Sequence, residues 1–286
     1  MFGECHAHIF MNGYDYKKAV RDQQNGPVDS LIREHFAAYR RNGITYVRDG
    51  GDPWGVSKRA MALAPEYGIT YRTPVFALHR EGHYGGIVGR SFSSLREFRS
   101  LILELKAQGG HFVKLMTTGI LDFDRYGEVT GEKLPGDEVR ALVETAHEMG
   151  FSVMTHTNGA RAVLEAAEAG ADSIEHGNFQ DEESLACLKE KKTVWVPTLV
   201  TVRNLIGDGR FQDDSLRAVW EAQKKTLREG FEKGVYLALG SDAGAYRVLH
   251  GQGLLDEYHA FCEVLGESAV LRERLQEGES KIRERF

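Results

Sequence analysis

The sequence predicts an α/β protein folded as a single (β/α)8 TIM barrel over residues 1–286. Three observations predict it. Segments of strand composition alternate with segments of helical spacing along the whole chain, which implies a parallel sheet with crossover helices. Eight of each can be counted, the number at which such a sheet closes on itself. A hydrophobic content of 42% and a charged content of 27% over 286 residues suit one barrel around a packed core.

The elements follow in order. Residues 2–8 read as the first strand, and Val28 to Asn42 as a helix stopped by Gly43. The β-branched and aromatic run Ile44-Thr45-Tyr46-Val47 is the second strand, closed by Asp49-Gly50-Gly51. Gly55 to Glu66 is helical, and Ile69 to Leu78 is the third strand. A helix over Ser93 to Gln108 leads to the fourth strand, His111 to Thr117. Val139, Leu142, Val143 and Ala146 give Asp137 to Met149 a helical apolar stripe, and Gly150 ends it. Phe151 to Thr157, Asp172 to His176, Thr193 to Leu199 and Val235 to Asp242 are the remaining strands. The helices between them cover Ala160 to Ala169, Asp181 to Lys191 and Asp213 to Lys233, and Leu254 to Leu265 is the eighth. Ser268 to Phe286 is helical and highly charged, with an end expected to fray. Three polar connections, Phe10 to Gly26, His79 to Phe92 and Leu121 to Leu134, are longer than usual. Each follows a strand, so each belongs to the barrel face where active sites sit, and they are the expected substrate loops.

The bulk numbers exclude several classes. A net charge of −6 argues against nucleic acid as a partner, since phosphate binding needs clustered Lys and Arg. No apolar run reaches membrane-spanning length. Three scattered cysteines, Cys5, Cys187 and Cys262, form no disulfide framework. With no visible secretory signal, the expected location is the cytoplasm.

Five strand ends carry residues that bind divalent metals, or that stand among those that do. His6 and His8 are two apart, so on a strand they share one face, the barrel interior. The same alternation turns Cys5 and Ala7 outward, Cys5 under a helix. His156, His176 and Asp242 end the fifth, sixth and eighth strands. Imidazole and carboxylate suit zinc and related ions. Lys114, on the fourth strand, is the odd member, because an ammonium donates no lone pair. As a plain cation it would pair with Asp242 or Asp49.

These residues resemble the amidohydrolase superfamily, in the subtype whose two metals are bridged by a carboxylated lysine. The similarity is clearest in Gly43 to Gly51, His156 through Gly177, Val196-Pro197-Thr198-Leu199 and Gly240-Ser241-Asp242-Ala243-Gly244. Within the superfamily it is most similar to prolidase-like and imidazolonepropionase-like amidohydrolases. The resemblance implies that Lys114 becomes a carbamate shared by two divalent ions, zinc being expected. It implies that His6, His8 and Asp242 hold one ion and His156 and His176 the other, with Asp242 also the catalytic acid–base. The implied reaction is hydrolysis of a C–N bond in an amide, dipeptide or cyclic amide by a metal-activated water. Alternatives are a non-catalytic metal-binding barrel and a mononuclear deaminase.

The substrate is a small molecule, and His83, Tyr84 and Arg203 are candidate contacts from loop position, with Arg80 and His250 nearby. Arg48 and Asp49 read as a structural pair, and Trp195 as a packed strand residue. Such relatives carry a β-sandwich built from both termini. Here His6 follows only five residues and little remains beyond Leu265, so the barrel is expected to lack it. The flank left bare would be polar or covered by another copy in a homo-oligomer.

Overall fold

The computed structural model describes residues 1–286. Ten short strands and eleven α-helices alternate in it, with a 3-10 turn at Ala64–Tyr67. The barrel staves are β1 (Glu4–Ala7), β2 (Tyr46–Asp49), β3 (Thr70–Arg72) with β4 (Ala77–Arg80), β6 (Val113–Met116), β7 (Val153–Thr157), β8 (Ser173–His176), β9 (Val194–Val196) and β10 (Tyr236–Leu237). All ladders between them are parallel. Closure is made by backbone bonds past the end of β10: Cys5 N donates to Leu239 O, Asp242 N to His6 O and His8 N to Ala243 O, at 2.8–3.0 Å. No helix is long and apolar enough to cross a membrane.

The third stave is broken where the sequence reading has it continuous. Pro74 has no amide to donate and Val75 adopts φ 66°, so the ladder stops at Arg72 and resumes at Ala77. Beyond the break, β4 pairs on its other side with an additional strand, β5 (Gly89–Phe92), which the second long connection, His79 to Phe92, had hidden. The first long loop likewise contains a helix, α1 (Tyr16–Gln23), capped by Asp15. Only Ala19 and Gln23 of it are buried, too little apolar surface to give a helical stripe.

The outer helices pack on the outward faces of the staves and form the main core, which includes Val47, Leu78, Leu115, Ile174 and Trp195. A second, inner cluster fills the lower barrel with Cys5, Tyr46, Phe112, Met154, Val194, Val196 and Ala238. Cys5 thus departs from strict alternation. β1 sets Glu4 opposite Val47 but Ala7 opposite Asp49, three residues against two. This bulge turns both Cys5 and His6 inward, and sends the Glu4 carboxylate to Ser241 N and Oγ at 2.7 and 2.6 Å.

The last helix, α11 (Ala269–Arg285), closes the floor rather than fraying. Phe286 is 7% exposed. Its ring meets Phe112 edge-on at 5.2 Å and lies 4.4 Å from the Arg48 guanidinium. Glu279 accepts from Gly3 N at 2.8 Å. Gly278 permits this approach, since a Cβ there would lie 2.0 Å from Leu237 O.

Candidate active site at the barrel mouth

The strand ends converge. His6, His8, Lys114, His156 and His176 are buried, and the Asp242 side chain is 16% exposed. His6 Nε2 and His8 Nε2 lie 3.4 and 3.6 Å from Asp242 Oδ1. Ligand atoms 2.0–2.1 Å from a tetrahedral ion stand roughly 3.4 Å apart, so these three groups could hold one cation. The His176 ring adjoins them, 5.0 Å from His6 and 4.5 Å from His156 between centroids.

The polar inventory fits a metal. His6 Nε2, Lys114 Nζ and Asp242 Oδ1 are buried without a hydrogen-bond partner, an arrangement that is costly unless something else satisfies it. Lys114 makes no pair with Asp242 or Asp49. Burial pulls His8 and His156 down to about 3 and His176 well below its ordinary range, so these imidazoles are neutral and keep a lone pair. For His6, burial and the Lys114 charge pull downward, but the carboxylates of Asp242 and Glu175 outweigh them and raise it. Burial lowers Lys114 to about 8, which increases the fraction present as free amine.

Each imidazole is aimed by a partner behind it. His6 Nδ1 is 2.7 Å from Glu175 Oε2, and Glu175 Oε1 accepts from Arg48 Nη2 at 2.8 Å. His156 Nε2 is hydrogen-bonded to Gly119 O at 2.9 Å, which leaves Nδ1 for the site. His176 Nδ1 is hydrogen-bonded to Thr198 Oγ1 at 2.7 Å. Such outer partners fix tautomer and ring orientation. Glu175 was not singled out from sequence, although it stands next to His176. The Arg48–Asp49 pair is also corrected: Arg48 pairs with Glu175, while Asp49 accepts from Ile9 N, Gly51 N and Thr73 Oγ1.

Backbone strain gathers here. His176, Thr198 and Asp242 have φ of 66°, 50° and 60°, a left-handed region that is sparsely populated by non-glycine residues and is found where function requires it. Gly50 serves the site through its missing side chain. A Cβ there would lie 2.2 Å from His8 Cε1. Gly50→Ala is therefore expected to displace the His8 ring and to weaken by about tenfold or more any zinc ion held by His6, His8 and Asp242. Competition against a chromogenic chelator measures this, and an unchanged affinity would mean that His8 is not held there as a ligand.

Above the site opens a cavity of about 1080 Å³ lined by His8, Lys114, His156, His176 and Asp242 and by residues of all three long loops. Tyr84 lines it, with its ring 5.3 Å from His156, and His83 lies on its rim. Arg203 does not line it. Its side chain runs to Glu263 at 3.0 Å. The guanidinium at the cavity belongs to Arg210, 4.3 Å from the Tyr246 ring. Arg80 pairs with Glu138, and His250 is buried against His35 at 3.9 Å, both away from the cavity. Part of the mouth is roofed where Phe123 meets Phe211 at 5.0 Å and Asp124 Oδ1 accepts from Gln212 N at 2.9 Å.

Comparison with known proteins agrees with this geometry. A model of the amidohydrolase family matches residues 3–275. Ochratoxinase of Aspergillus niger is 25% identical over 168 residues, 57% of this chain and 35% of that protein. An uncharacterized protein of Mycobacterium tuberculosis is 31% identical over 130 residues, 43% of this chain and 35% of that protein. Each match thus spans about a third of the relative's length. Among solved structures, a prolidase complexed with N-methylphosphonate-L-proline superposes with a TM-score of 0.75 at 23% identity, covering 98% of this chain and 74% of that one. The A. niger ochratoxinase structure gives 0.76 at 19%, covering 95% and 68%. At these identities the structural likeness speaks for the fold. With the family match running over nearly the whole chain, the protein belongs to the amidohydrolase family.

Proposed function

We propose that the chain hydrolyses a C–N bond in a small amide, dipeptide or cyclic amide, using two divalent ions, zinc by the character of the donors. The observation that carries this reading is the convergence of three imidazoles, His8, His156 and His176, with Asp242 and the partnerless Lys114 Nζ on one cavity floor, and of His6 beside Asp242 beneath it. His6, His8 and Asp242 would hold one ion and His156 and His176 the other. Lys114, as free amine, would add to carbon dioxide, forming an N–C bond and releasing a proton. The resulting carbamate, an anion with its single charge spread over two oxygens, would be a ligand for both ions. When bound, the ions supply Lewis acidity toward the scissile carbonyl and ionise a water at neutral pH.

The remaining roles fall to the chain's own residues. Asp242, beside His6 and His8, accepts the proton of the attacking water and passes it to the leaving nitrogen. Tyr84 and the aromatic residues of the roof shield the reacting bond from bulk water, and His83 and Arg210 contact the substrate at the rim. Membership of the amidohydrolase family and the similarity to proteins named ochratoxinase and prolidase support amide hydrolysis.

Elemental analysis of the purified native protein tests the reading. About two divalent ions per chain are expected, with hydrolysis of a dipeptide, N-acyl amino acid or cyclic ureide library lost on chelation and restored by zinc and bicarbonate. One ion per chain would point to the deaminase-like arrangement. No ion retained after zinc and bicarbonate, or activity indifferent to chelation, would end the proposal.

A further inference from the structure

A buried carboxyl group outside the site stands behind one of its strained turns. Glu257, on the helix Gln252–Leu265, is 0% exposed and does not line the cavity. Its Oε1 accepts from Leu199 N at 2.9 Å and its Oε2 from Val200 N at 3.0 Å, one amide to each oxygen. Leu199 and Val200 directly follow Thr198, whose φ of 50° is an outlier for a β-branched residue. Thr198 Oγ1 in turn lies 2.7 Å from His176 Nδ1. An unbroken chain of hydrogen bonds and one peptide unit therefore runs from the outer helix layer to an imidazole of the site.

We propose that Glu257 is a positioning residue for His176. By holding the two amides after Thr198 it keeps that residue in its left-handed conformation. Thr198 Oγ1 then stays in place to accept from His176 Nδ1–H, and the Nε2 lone pair faces the cavity. A carboxyl group suits this post: burial pushes Glu257 up to about 8, and even when protonated each of its two oxygens keeps a lone pair for one of the two donors. Glutamine would set an NH2 against one of them. The inference rests on the hydrolase reading only for the meaning of metal binding; the tautomer of His176 can be read without it.

The test is a double-mutant cycle of Thr198→Val and Glu257→Gln, with Thr198→Ser as the conservative control. Two readouts are taken. The first is the ring 15N shifts of His176 in metal-free protein, assigned with His176→Gln. The second is zinc affinity by chelator competition. Wild type and Thr198→Ser are expected to show one tautomer protonated at Nδ1. Thr198→Val and Glu257→Gln should each mix the tautomers and weaken zinc binding by about tenfold or more. The double variant should be no weaker than Thr198→Val alone, because both changes cut the same chain. A Glu257→Gln protein with wild-type His176 shifts and zinc affinity would overturn the proposal. So would a Glu257→Gln effect that multiplies undiminished onto Thr198→Val. Should Glu257→Gln not be recovered folded, Glu257→Asp, which withdraws the carboxyl group by one methylene, is read in the same way. If wild type binds no zinc, the hydrolase reading fails while the tautomer comparison still decides the role of Glu257.

Discussion

Lys114→Met is expected to abolish hydrolysis and, in the metal-free protein, to raise stability. The first effect follows from losing the group proposed to be shared by both ions. Outer-shell partners of metal ligands already cost about 10–100-fold when removed, so losing a shared ligand should lower kcat/KM by on the order of a thousandfold or more. The second effect follows from burial. Lys114 is 1% exposed, its Nζ has no partner, and desolvation lowers its pKa from 10.5 to about 8. The difference, 10.5 − 8 = 2.5 units, corresponds to a cost of about 3 kcal/mol for holding the cation at pH 7. Because the folded-state pKa is the lower one, that cost is present in full below pH 8 and is relieved as pH rises from about 8 to 10.5. Metal-free wild type should therefore gain stability across that window, and Lys114→Met, similar in volume and uncharged, should not. Thermal melts at several pH values, beside metal content and turnover, check both effects. A Lys114→Met enzyme with normal turnover would remove the carbamate from the mechanism.

Glu175→Gln is the second large effect. Burial pushes the Glu175 carboxyl upward, but the Arg48 charge and the His6 hydrogen bond outweigh it and hold the group at about 2. Neutralising it strands a guanidinium that is 0% exposed, and breaking a buried pair in this way costs about 3–5 kcal/mol. It also withdraws the acceptor behind His6, for which a fall of about 10–100-fold in zinc affinity is expected. Adding Arg48→Met separates the two losses. Stability should largely return, because no buried charge is left alone, while zinc affinity stays low, because His6 remains unsupported. A single Glu175→Gln variant with wild-type zinc affinity would show that His6 needs no such partner. In wild type the same pair predicts acid sensitivity. With the folded-state pKa depressed, its contribution is intact above about pH 4.5 and is lost as pH falls toward 2.

Most of the candidate site was legible because it is built on strands near their ends, and strands can be found from composition. His8, His156, His176 and Asp242 stand at or next to the ends of runs of strand-forming residues, and His6 and Lys114 lie within such runs. What strict alternation hides is every place where the backbone leaves it. Ile174 belongs to the outer core, so alternation turns Glu175 inward and His176 outward. Both reach the site because His176 twists to φ 66°. The bulge in β1 does the same for Cys5 and His6. Pro74 announced the break in the third stave, yet the apolar residues around it read as continuous strand. Arg203 and Arg210 show the limit for loops. Both follow the seventh strand, and only the path of the chain through Gly207 and Gly209, each with positive φ, decides which guanidinium reaches the cavity.

The floor of the barrel ties its assembly to the whole length of the chain. Gly3 and Glu279, joined there by a hydrogen bond, are 276 positions apart, and closing so long a segment costs on the order of 5 kcal/mol in chain entropy. Adjacent βα units return little against that cost, because Cys5 and Phe286 join Phe112 and Met154 only when the ring shuts. A nascent chain that has not yet emerged beyond Glu279 leaves these side chains exposed beneath the histidines. Ring closure, a step of high contact order, is thus a late event in folding, and only then do the residues of the barrel mouth acquire a rigid base.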